Sequence, residues 1–330
     1  MRKLSIRVPA SSGNLGPGFD ALALAFELYC RIDVEVDGAG SPASTVSGTA
    51  GRAADAASGT AAGPAGPYIK VAGKHSAGLP EDSSNLVLKI IADVLGEEGA
   101  DLLARTSIKV TNDIPLARGL GSSSAASCGA FYCARWLQEL DPGRDEIIQH
   151  VASMEGHAEN SAASVLGGVV VVARRSHENF EAVSTSWPAQ WATVVVVPPH
   201  EVSTPVARKI LPRTVGLKQA VANIQNTALL MTAINKGDPE LLRISLKDFI
   251  HEPYRESLVP ELTSLRSSLR CGPALGVVLS GAGSSVLVVS ERSGKEELLG
   301  RIAEWQAKYC PGAEILDLKV DRQGLVVESA

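Results

Sequence analysis

One loop between a strand pattern and a long helical pattern constrains this chain more than any other stretch. Its sequence is PLARGLGSSSA, residues 115–125, called here the central loop, with two glycines and three serines. Such a loop can bring backbone N–H groups against an anion, and the helix behind it adds unpaired amides and a positive dipole end. The serines can cap the helix or ligate a magnesium ion carried by a nucleotide. Two interpretations are open at this point, a phosphate-binding loop and an ordinary Gly/Ser helix cap.

The composition excludes several classes of function. The chain has 330 residues, a formal net charge of −5 and 4% aromatic residues. We expect no nucleic-acid partner, because proteins that bind nucleic acids need a basic stripe and often aromatic residues that stack on bases. No apolar run reaches the roughly 18 residues of a membrane-spanning helix, and the chain shows no signal-peptide pattern. The sequence therefore predicts a cytoplasmic protein with two domains and no membrane partner.

Two further glycine-rich loops follow predicted strands. The N-terminal loop, residues 9–20, has three glycines and two prolines, and shaped loops of this kind often carry function. Its residues Asn14 and Asp20 are candidate site residues, although both types also form turns. The C-terminal loop, residues 280–285, lies between two predicted strands, a pattern typical of backbone that closely approaches another group.

The remaining periodicity is typical of an α+β chain. A helix is predicted from Leu86, capped by Ser83 and Ser84, and the valine run 194–197 predicts a strand buried on both faces. Small residues begin the helix after the central loop, which would let it pack closely against a sheet. Residues 38–67 are almost entirely Gly, Ala, Ser, Thr and Pro. Such a segment cannot offset its ordering entropy, so we predict a flexible low-complexity insertion.

Other catalytic motifs are absent from the sequence. It contains no Walker A phosphate motif, no protein-kinase HRD or DFG tripeptide and no G-x-S-x-G nucleophile elbow. No group of cysteines and histidines has zinc spacing. What remains is the three loops, a cluster of Glu155, His157 and Asn160, and the arginines Arg208 and Arg255.

Together these segments resemble the GHMP small-molecule kinases. That family carries, in this order, a P-A-S-x-x-N-L-G-P-G-F-D-like loop, a P-x-x-x-G-L-G-S-S-A-like phosphate loop and an S-G-A-G-like loop. The N-terminal, central and C-terminal loops match them in order, so the resemblance spans nearly the whole chain. It implies an α+β fold of two domains with the active site in the cleft between them. Residues 1–175 would form the ATP-binding domain and residues 176–330 the domain that closes over the substrate.

Within the family, the match is closest to the branch that phosphorylates L-homoserine. It rests on Asn14–Asp20, on the Glu155–Asn160 cluster and on His251–Arg255. The chain departs from that branch at Ala158-Glu159, where Pro-Asp is usual, and at Ser284, where proline is usual. The resemblance implies transfer of phosphate from ATP to L-homoserine with Mg²⁺, a step in threonine biosynthesis. The alternatives are a mevalonate- or sugar-type kinase and a non-catalytic ligand-sensing relative, and a homodimer is one expectation for the assembly.

The resemblance also implies residue roles, which physical chemistry supports. Asn160 would orient the attacking hydroxyl, and since an amide cannot accept its proton, we hypothesise that γ-phosphate oxygens accept it. Asp20 would bind the ammonium group of the substrate. The planar guanidinium groups of the arginines suit the substrate's carboxylate. Hard oxygens suit Mg²⁺. The magnesium ligands would be Glu155 and either Ser122 or Ser123. Together with Asn160, these residues would form the catalytic set. The substrate-binding residues would be Asn14, Asp20, His157, Asn160, Arg208 and Arg255. The ATP-binding residues would be Asn85, Pro115, Leu116, Ala117, Arg118, Gly119, Leu120, Gly121, Ser122, Ser123, Ser124, Ala125, Gly281, Ala282 and Gly283.

Overall fold

The fold is taken from a computed structural model that describes residues 1–36, 68–176 and 179–329. The flexible insertion predicted at 38–67 lies outside the described residues. Within those residues, no helix combines the length and apolar character needed to cross a membrane. The described chain is a mixed α and β structure with two sheets, as the α+β prediction required.

The strands divide between two sheets. Their bounds are β1 (Arg2–Gly13), β2 (Leu22–Val36), β3 (Tyr68–Ala72), β4 (Thr106–Asn112), β5 (Val169–Ser176), β6 (Asn179–Thr185), β7 (Trp191–Val197), β8 (Ala274–Leu279), β9 (Val286–Glu291), β10 (Glu314–Leu318) and β11 (Val326–Ser329). The first sheet has the order β11-β1-β2-β4-β3, with β5 beside β2 and β6 beside β5. The second has the order β10-β7-β9-β8. Because β6 and β11 join the first sheet, its strands come from both sides of the 175/176 boundary, and that division stays a prediction.

Strand β7 lies between two hydrophobic cores. All seven of its residues are buried, which confirms the prediction for residues 194–197. Successive side chains of a strand point to opposite faces. Accordingly Val195 and Val197 pack into the core of the first sheet, while Val194 and Val196 pack into the core under the C-terminal helices.

The helices cover the two sheets. Their bounds are α1 (Leu86–Leu95), α2 (Ala100–Ala104), α3 (Ser122–Leu137), α4 (Arg144–Glu155), α5 (Glu159–Leu166), α6 (Thr204–Lys209), α7 (Leu217–Lys236), α8 (Pro239–Ser245), α9 (Glu252–Arg255), α10 (Pro260–Ser268) and α11 (Lys295–Tyr309). The predicted serine cap of α1 is wrong, because the N-cap is Asn85, whose Oδ1 accepts from Val87 N at 2.9 Å. Asn85 also donates to Pro80 O, so both ends of its amide have protein partners.

Helix α3 lies close to the first sheet, as its small residues predicted. A Cβ added at Gly129 would lie 2.8 Å from Ile32 Cδ1 of β2, closer than side-chain carbons pack. The neighbouring residues Ala125, Cys128 and Ala130 are fully buried. This close packing fixes the N-terminus of α3, and with it the central loop, on a rigid sheet.

Candidate active site

The N-terminal, central and C-terminal loops meet at one place. Ser280 Oγ donates to Gly119 O at 2.7 Å, which joins the C-terminal loop to the central loop. Gly281 N donates to Gly13 O at 3.0 Å, and Asn14 Nδ2 donates to Gly281 O at 2.9 Å. Three segments far apart in sequence therefore form one connected site.

Close backbone approach explains the glycines of the central loop. Gly119 and Gly121 have φ of 74° and 67°, the left-handed region that favours glycine. A methyl group at Gly119 would overlap Ser280 O, and one at Gly121 would overlap Ser11 Oγ. Gly121 is the N-cap of α3, and no side chain caps that helix. The serines therefore do not cap the helix, and anion binding by the first-turn amides of α3 stays a prediction.

A cavity of about 500 Å³ opens over the central loop. It contains predicted residues from both halves of the chain. Its lining is Pro115, Ala117, Arg118, Gly119, Leu120, Gly121, Ser122, Ser123, Ser124, Glu155, His157, Val202, Ser203, Thr204, Pro205 and Arg208. A larger cavity of about 720 Å³, bordered by Arg7, Trp187 and Lys295, includes none of the predicted site residues. Chemistry rather than volume therefore selects the cavity over the central loop.

Glu155 supplies a carboxylate to this cavity. It ends α4 because Gly156 turns the chain with φ of 80°. Its Oε2 accepts a hydrogen bond from Ser124 Oγ at 2.7 Å. Burial raises the pKa of Glu155, and hydrogen bonds from Ser124 and Ser123 and the charge of His157 oppose that rise. This half-buried carboxylate, which shares the cavity with the hydroxyls of Ser122 to Ser124, offers hard oxygen donors of the kind that Mg²⁺ prefers.

A buried polar chain extends from His157 to the N-terminal loop. His157 Nδ1 lies 3.2 Å from Glu159 Oε1, and the same oxygen accepts from Asn160 Nδ2 at 2.8 Å. Ser11 Oγ bonds to Asn160 Oδ1 at 3.0 Å. Burial works to lower the pKa of His157, but Glu159 and Glu155 outweigh it and the pKa is raised. Both ends of the Asn160 amide are therefore held by protein.

Asp20 and Arg208 form a bidentate ion pair at the cavity wall. Arg208 Nη2 lies 2.8 Å from Asp20 Oδ1, and Nη1 lies 3.0 Å from Oδ2. The two side chains are 36% and 37% exposed, so solvent and a ligand can reach them. Burial works to lower the pKa of Arg208, but the Asp20 pair outweighs it and the pKa is raised. The sequence analysis placed both residues at the substrate, and the structure brings them together.

Arg255 holds neighbouring segments together from a buried position. It is 2% exposed, and it donates from Nε to Ala207 O and from Nη1 to Gly281 O. Nη1 also lies 3.3 Å from His251 Nδ1. Burial and the charge of Arg208 lower the pKa of Arg255 to about 10. These bonds connect α6, which carries Arg208, to the C-terminal loop, and a direct contact of Arg255 with the substrate stays a prediction.

Some predicted residues lie away from the cavity lining. Asn85 caps α1, while Asn14 uses its amide to bridge Gly281 O and the backbone N of Asp20. Sequence reasoning gave no site role to Ser11 or Glu159. Ser11 lies within the matched N-terminal loop and Glu159 within the Glu155–Asn160 cluster, so those motifs were the available signal. Their contacts with Asn160 depend on how β1 and α5 pack together.

Comparisons with known proteins define the class of this fold and site. The profile described as "GHMP kinases N terminal domain" matches residues 85–168, and "GHMP kinases C terminal" matches residues 230–307. Together with the three loops and their shared site, these matches place the chain among the GHMP kinases, as the sequence predicted.

Relatives narrow this class further. A homoserine kinase from Natranaerobius thermophilus is 32% identical over 91% of this chain and 89% of that protein. One from Bacillus velezensis is 34% identical over 98% of this chain and 94% of that protein. The crystal structure of homoserine kinase from Cytophaga hutchinsonii superimposes with a TM-score of 0.79 at 25% identity, covering 99% of this chain and 98% of that chain. The chain belongs to the homoserine kinase family.

Proposed function

We propose that this chain transfers the γ-phosphate of ATP to the hydroxyl of L-homoserine and so makes O-phospho-L-homoserine for threonine biosynthesis. The observation that carries the proposal is the shared cavity. Its wall contains the uncapped N-terminus of α3 on one part and Arg208, paired with Asp20, on another. A phosphate site and a site for a zwitterionic amino acid thus adjoin, and the relatives named homoserine kinases support this reading.

The nucleotide would bind with its phosphates against the central loop. The left-handed glycines Gly119 and Gly121 let the backbone approach the phosphates, and the α3 dipole favours negative charge there. Gly281 to Gly283 would support this loop from the C-terminal side, because Ser280 and Gly281 bond to the central and N-terminal loops. Asn85 remains our proposal for the adenine end.

Magnesium fits the donors around Glu155. The half-buried carboxylate with its raised pKa and the adjoining serine hydroxyls would gain a cation partner. Among the described residues, no group of three or more His, Cys, Asp or Glu could hold a metal by itself, which agrees with Mg²⁺ carried by the nucleotide. The ion would neutralise charge on the phosphates during transfer. Either Ser122 or Ser123, which line the same cavity as Glu155, would be the second ligand.

The substrate would exchange partners with an existing ion pair. In the structure Arg208 and Asp20 neutralise each other. A zwitterion offers a carboxylate to Arg208 and an ammonium to Asp20, so each charge keeps a partner and little desolvation is added. Arg255 would complete the carboxylate clamp, and Asn14 holds the Asp20 backbone in place. His157, at the same cavity, would lie beside the substrate.

Phosphoryl transfer here would need positioning more than a base. Asn160 lies at 9% exposure with its amide held on both sides, which suits orientation of a hydroxyl. No step requires Asn160 to accept a proton, because γ-phosphate oxygens can take it. Catalysis would then come from alignment and charge neutralisation.

A substrate panel tests the proposal. ADP release coupled to NADH oxidation is measured with L-homoserine, L-serine, L-threonine, mevalonate and galactose. We expect homoserine to give a kcat/KM at least about tenfold above every other substrate. Mevalonate and galactose lack the ammonium group, and the hydroxyl of serine or threonine lies one carbon closer to the zwitterion. A preference for mevalonate or galactose would contradict the substrate, and no ADP release with any of them would contradict catalysis.

A pair of variants tests the metal carboxylate in the same assay. Glu155→Gln removes the charge of the proposed metal ligand and should lower kcat by about 100-fold or more while raising the Mg²⁺ requirement. The matched control is Glu98→Gln, an exposed residue far along the chain, which should leave both values unchanged. An unchanged Mg²⁺ requirement in Glu155→Gln would contradict the assignment.

The remaining parts of the proposal concern the whole protein. We propose two domains, residues 1–175 and 176–330, and a cytoplasmic enzyme whose partners are small molecules rather than nucleic acids, in keeping with a net charge of −5. A homodimer is proposed as the assembly. Light scattering on the purified chain measures its mass, and a monomer mass at every concentration would contradict the dimer.

A further inference from the structure

Glu159 and Ser11 hold the amide of Asn160 from opposite ends. Glu159 Oε1 accepts from Asn160 Nδ2 at 2.8 Å, and Ser11 Oγ bonds to Asn160 Oδ1 at 3.0 Å. Glu159 is 3% exposed and Ser11 is fully buried. These bonds join α5 to β1, directly beneath the central loop, because Ser11 N also donates to Leu120 O at 3.1 Å.

Glu159 and Ser11 differ in the hydrogen bonds that they can form with the Asn160 amide. An ionised carboxylate only accepts hydrogen bonds, whereas a serine hydroxyl can donate or accept. Glu159 therefore requires the NH₂ end of the Asn160 amide, and Ser11 adapts to the end that remains. A reversed amide would place its oxygen against the carboxylate oxygen, which is repulsive. Glu159 thus decides the orientation of Asn160.

The Asn160 amide lies close against Gly13, at a position where a side chain would crowd it. A Cβ added at Gly13 would lie 3.1 Å from Asn160 Nδ2 and 3.3 Å from Oδ1, tighter than ordinary packing. Glu159 Oε2 is buried and has no hydrogen-bond partner among the described residues. A buried oxygen without a partner costs stability, so a gain in stability alone does not account for this carboxylate.

We infer that Glu159 is a positioning residue for phosphoryl transfer, which fixes the Asn160 amide so that one Nδ2 proton and one Oδ1 lone pair face the substrate hydroxyl. The inference rests on the proposed function, since the hydroxyl is that of the proposed substrate. Glu159 acts through Asn160 and takes no proton from the substrate. Its contribution appears in kcat, because it aligns the hydroxyl without binding ATP or the amino-acid charges.

A double-mutant cycle tests this coupling. Glu159→Ala should lower kcat about tenfold, the value of one hydrogen bond to a charged group, and change the KM for ATP less than twofold. In an Asn160→Ala background the same substitution should have almost no further effect. Glu159→Gln keeps an acceptor but no longer forbids the reversed amide, so its loss should be smaller. The control Ser164→Ala removes a buried hydrogen bond to Pro9 O from the same helix and should leave kcat unchanged.

Each outcome decides the inference. An equal loss from Glu159→Ala in both backgrounds would show that Glu159 acts on the substrate directly and would overturn the positioning role. Wild-type kcat in both Glu159 variants would also overturn it. If the alanine variant does not fold, the cycle is run with Glu159→Gln, and the ¹⁵N side-chain amide resonance of Asn160 should shift in that variant. A wild-type chain that releases no ADP with homoserine contradicts the proposed function, whereas an unshifted resonance contradicts the positioning.

Discussion

The contact between the central and C-terminal loops makes Gly119→Ala a sharp perturbation. Gly119 has φ of 74°, where a side chain costs roughly 1–2 kcal/mol. The added methyl would overlap Ser280 O and would lie 2.9 Å from N and 3.0 Å from O of Gly283. These are backbone atoms, so relief needs a movement of the two loops by about 1 Å, and displacements of that size cost up to about 100-fold in rate.

Gly78→Ala is a matched control that separates the cost of backbone strain from the effect of the contact between the two loops. Gly78 also has positive φ, 84°, but an added Cβ there meets nothing within 4 Å. We therefore expect Gly119→Ala to lower kcat/KM for ATP about 100-fold, whereas Gly78→Ala should change it less than about twofold while losing a similar 1–2 kcal/mol of stability.

The assay combines steady-state kinetics with urea unfolding on wild type and both variants. Unfolding shows that each variant is folded at the assay temperature, and the KM for ATP is measured at saturating homoserine. Equal kcat/KM for ATP in Gly119→Ala and Gly78→Ala would refute the reasoning, because the loop contact would then have no consequence for the nucleotide site.

Three further predictions concern Arg208, His251 and Gly300. Arg208→Met should raise the homoserine KM about ten- to a hundredfold with little change in the KM for ATP, and unchanged homoserine kinetics would exclude the carboxylate clamp. His251 is fully buried and burial lowers its pKa, so the unfolded state binds its proton more readily and stability should fall as pH decreases below about 6.5. Urea unfolding at pH 7.5 and 5.5 measures this, and His251→Gln should show a smaller pH dependence than wild type. Gly300 is exposed within α11 and its added Cβ meets nothing, so Gly300→Ala should stabilise the chain by about 0.5–1 kcal/mol, seen as a higher urea midpoint.

Local patterns predicted β7, the close packing of α3 and the class of protein. The Val run of β7, the small residues of α3 and the spacing of the three loops are readable because burial, close packing and left-handed backbone restrict residue type at each position. Where patterns were weak, the predictions were wrong or incomplete. The serines before α1 resembled caps as much as Asn85 did, since Ser and Asn are comparable N-cap residues. Strands β3, β6 and β11 were not predicted, and β6 is largely exposed, so it carries little apolar alternation.

The sequence by itself determined the three matching loops and the family, and it predicted a phosphate loop, a metal carboxylate and the charges for a zwitterion. Each loop motif depends on residue types at short spacing, which a local pattern can reveal. Tertiary structure alone decided which of them touch. It placed Asp20 against Arg208 across 188 residues and Ser11 against Asn160 across 149. It also buried Arg255, whose hydrogen bonds connect α6 to the C-terminal loop. Partner choice of this kind depends on how the sheets and helices pack, because no local rule relates residues so far apart in the chain.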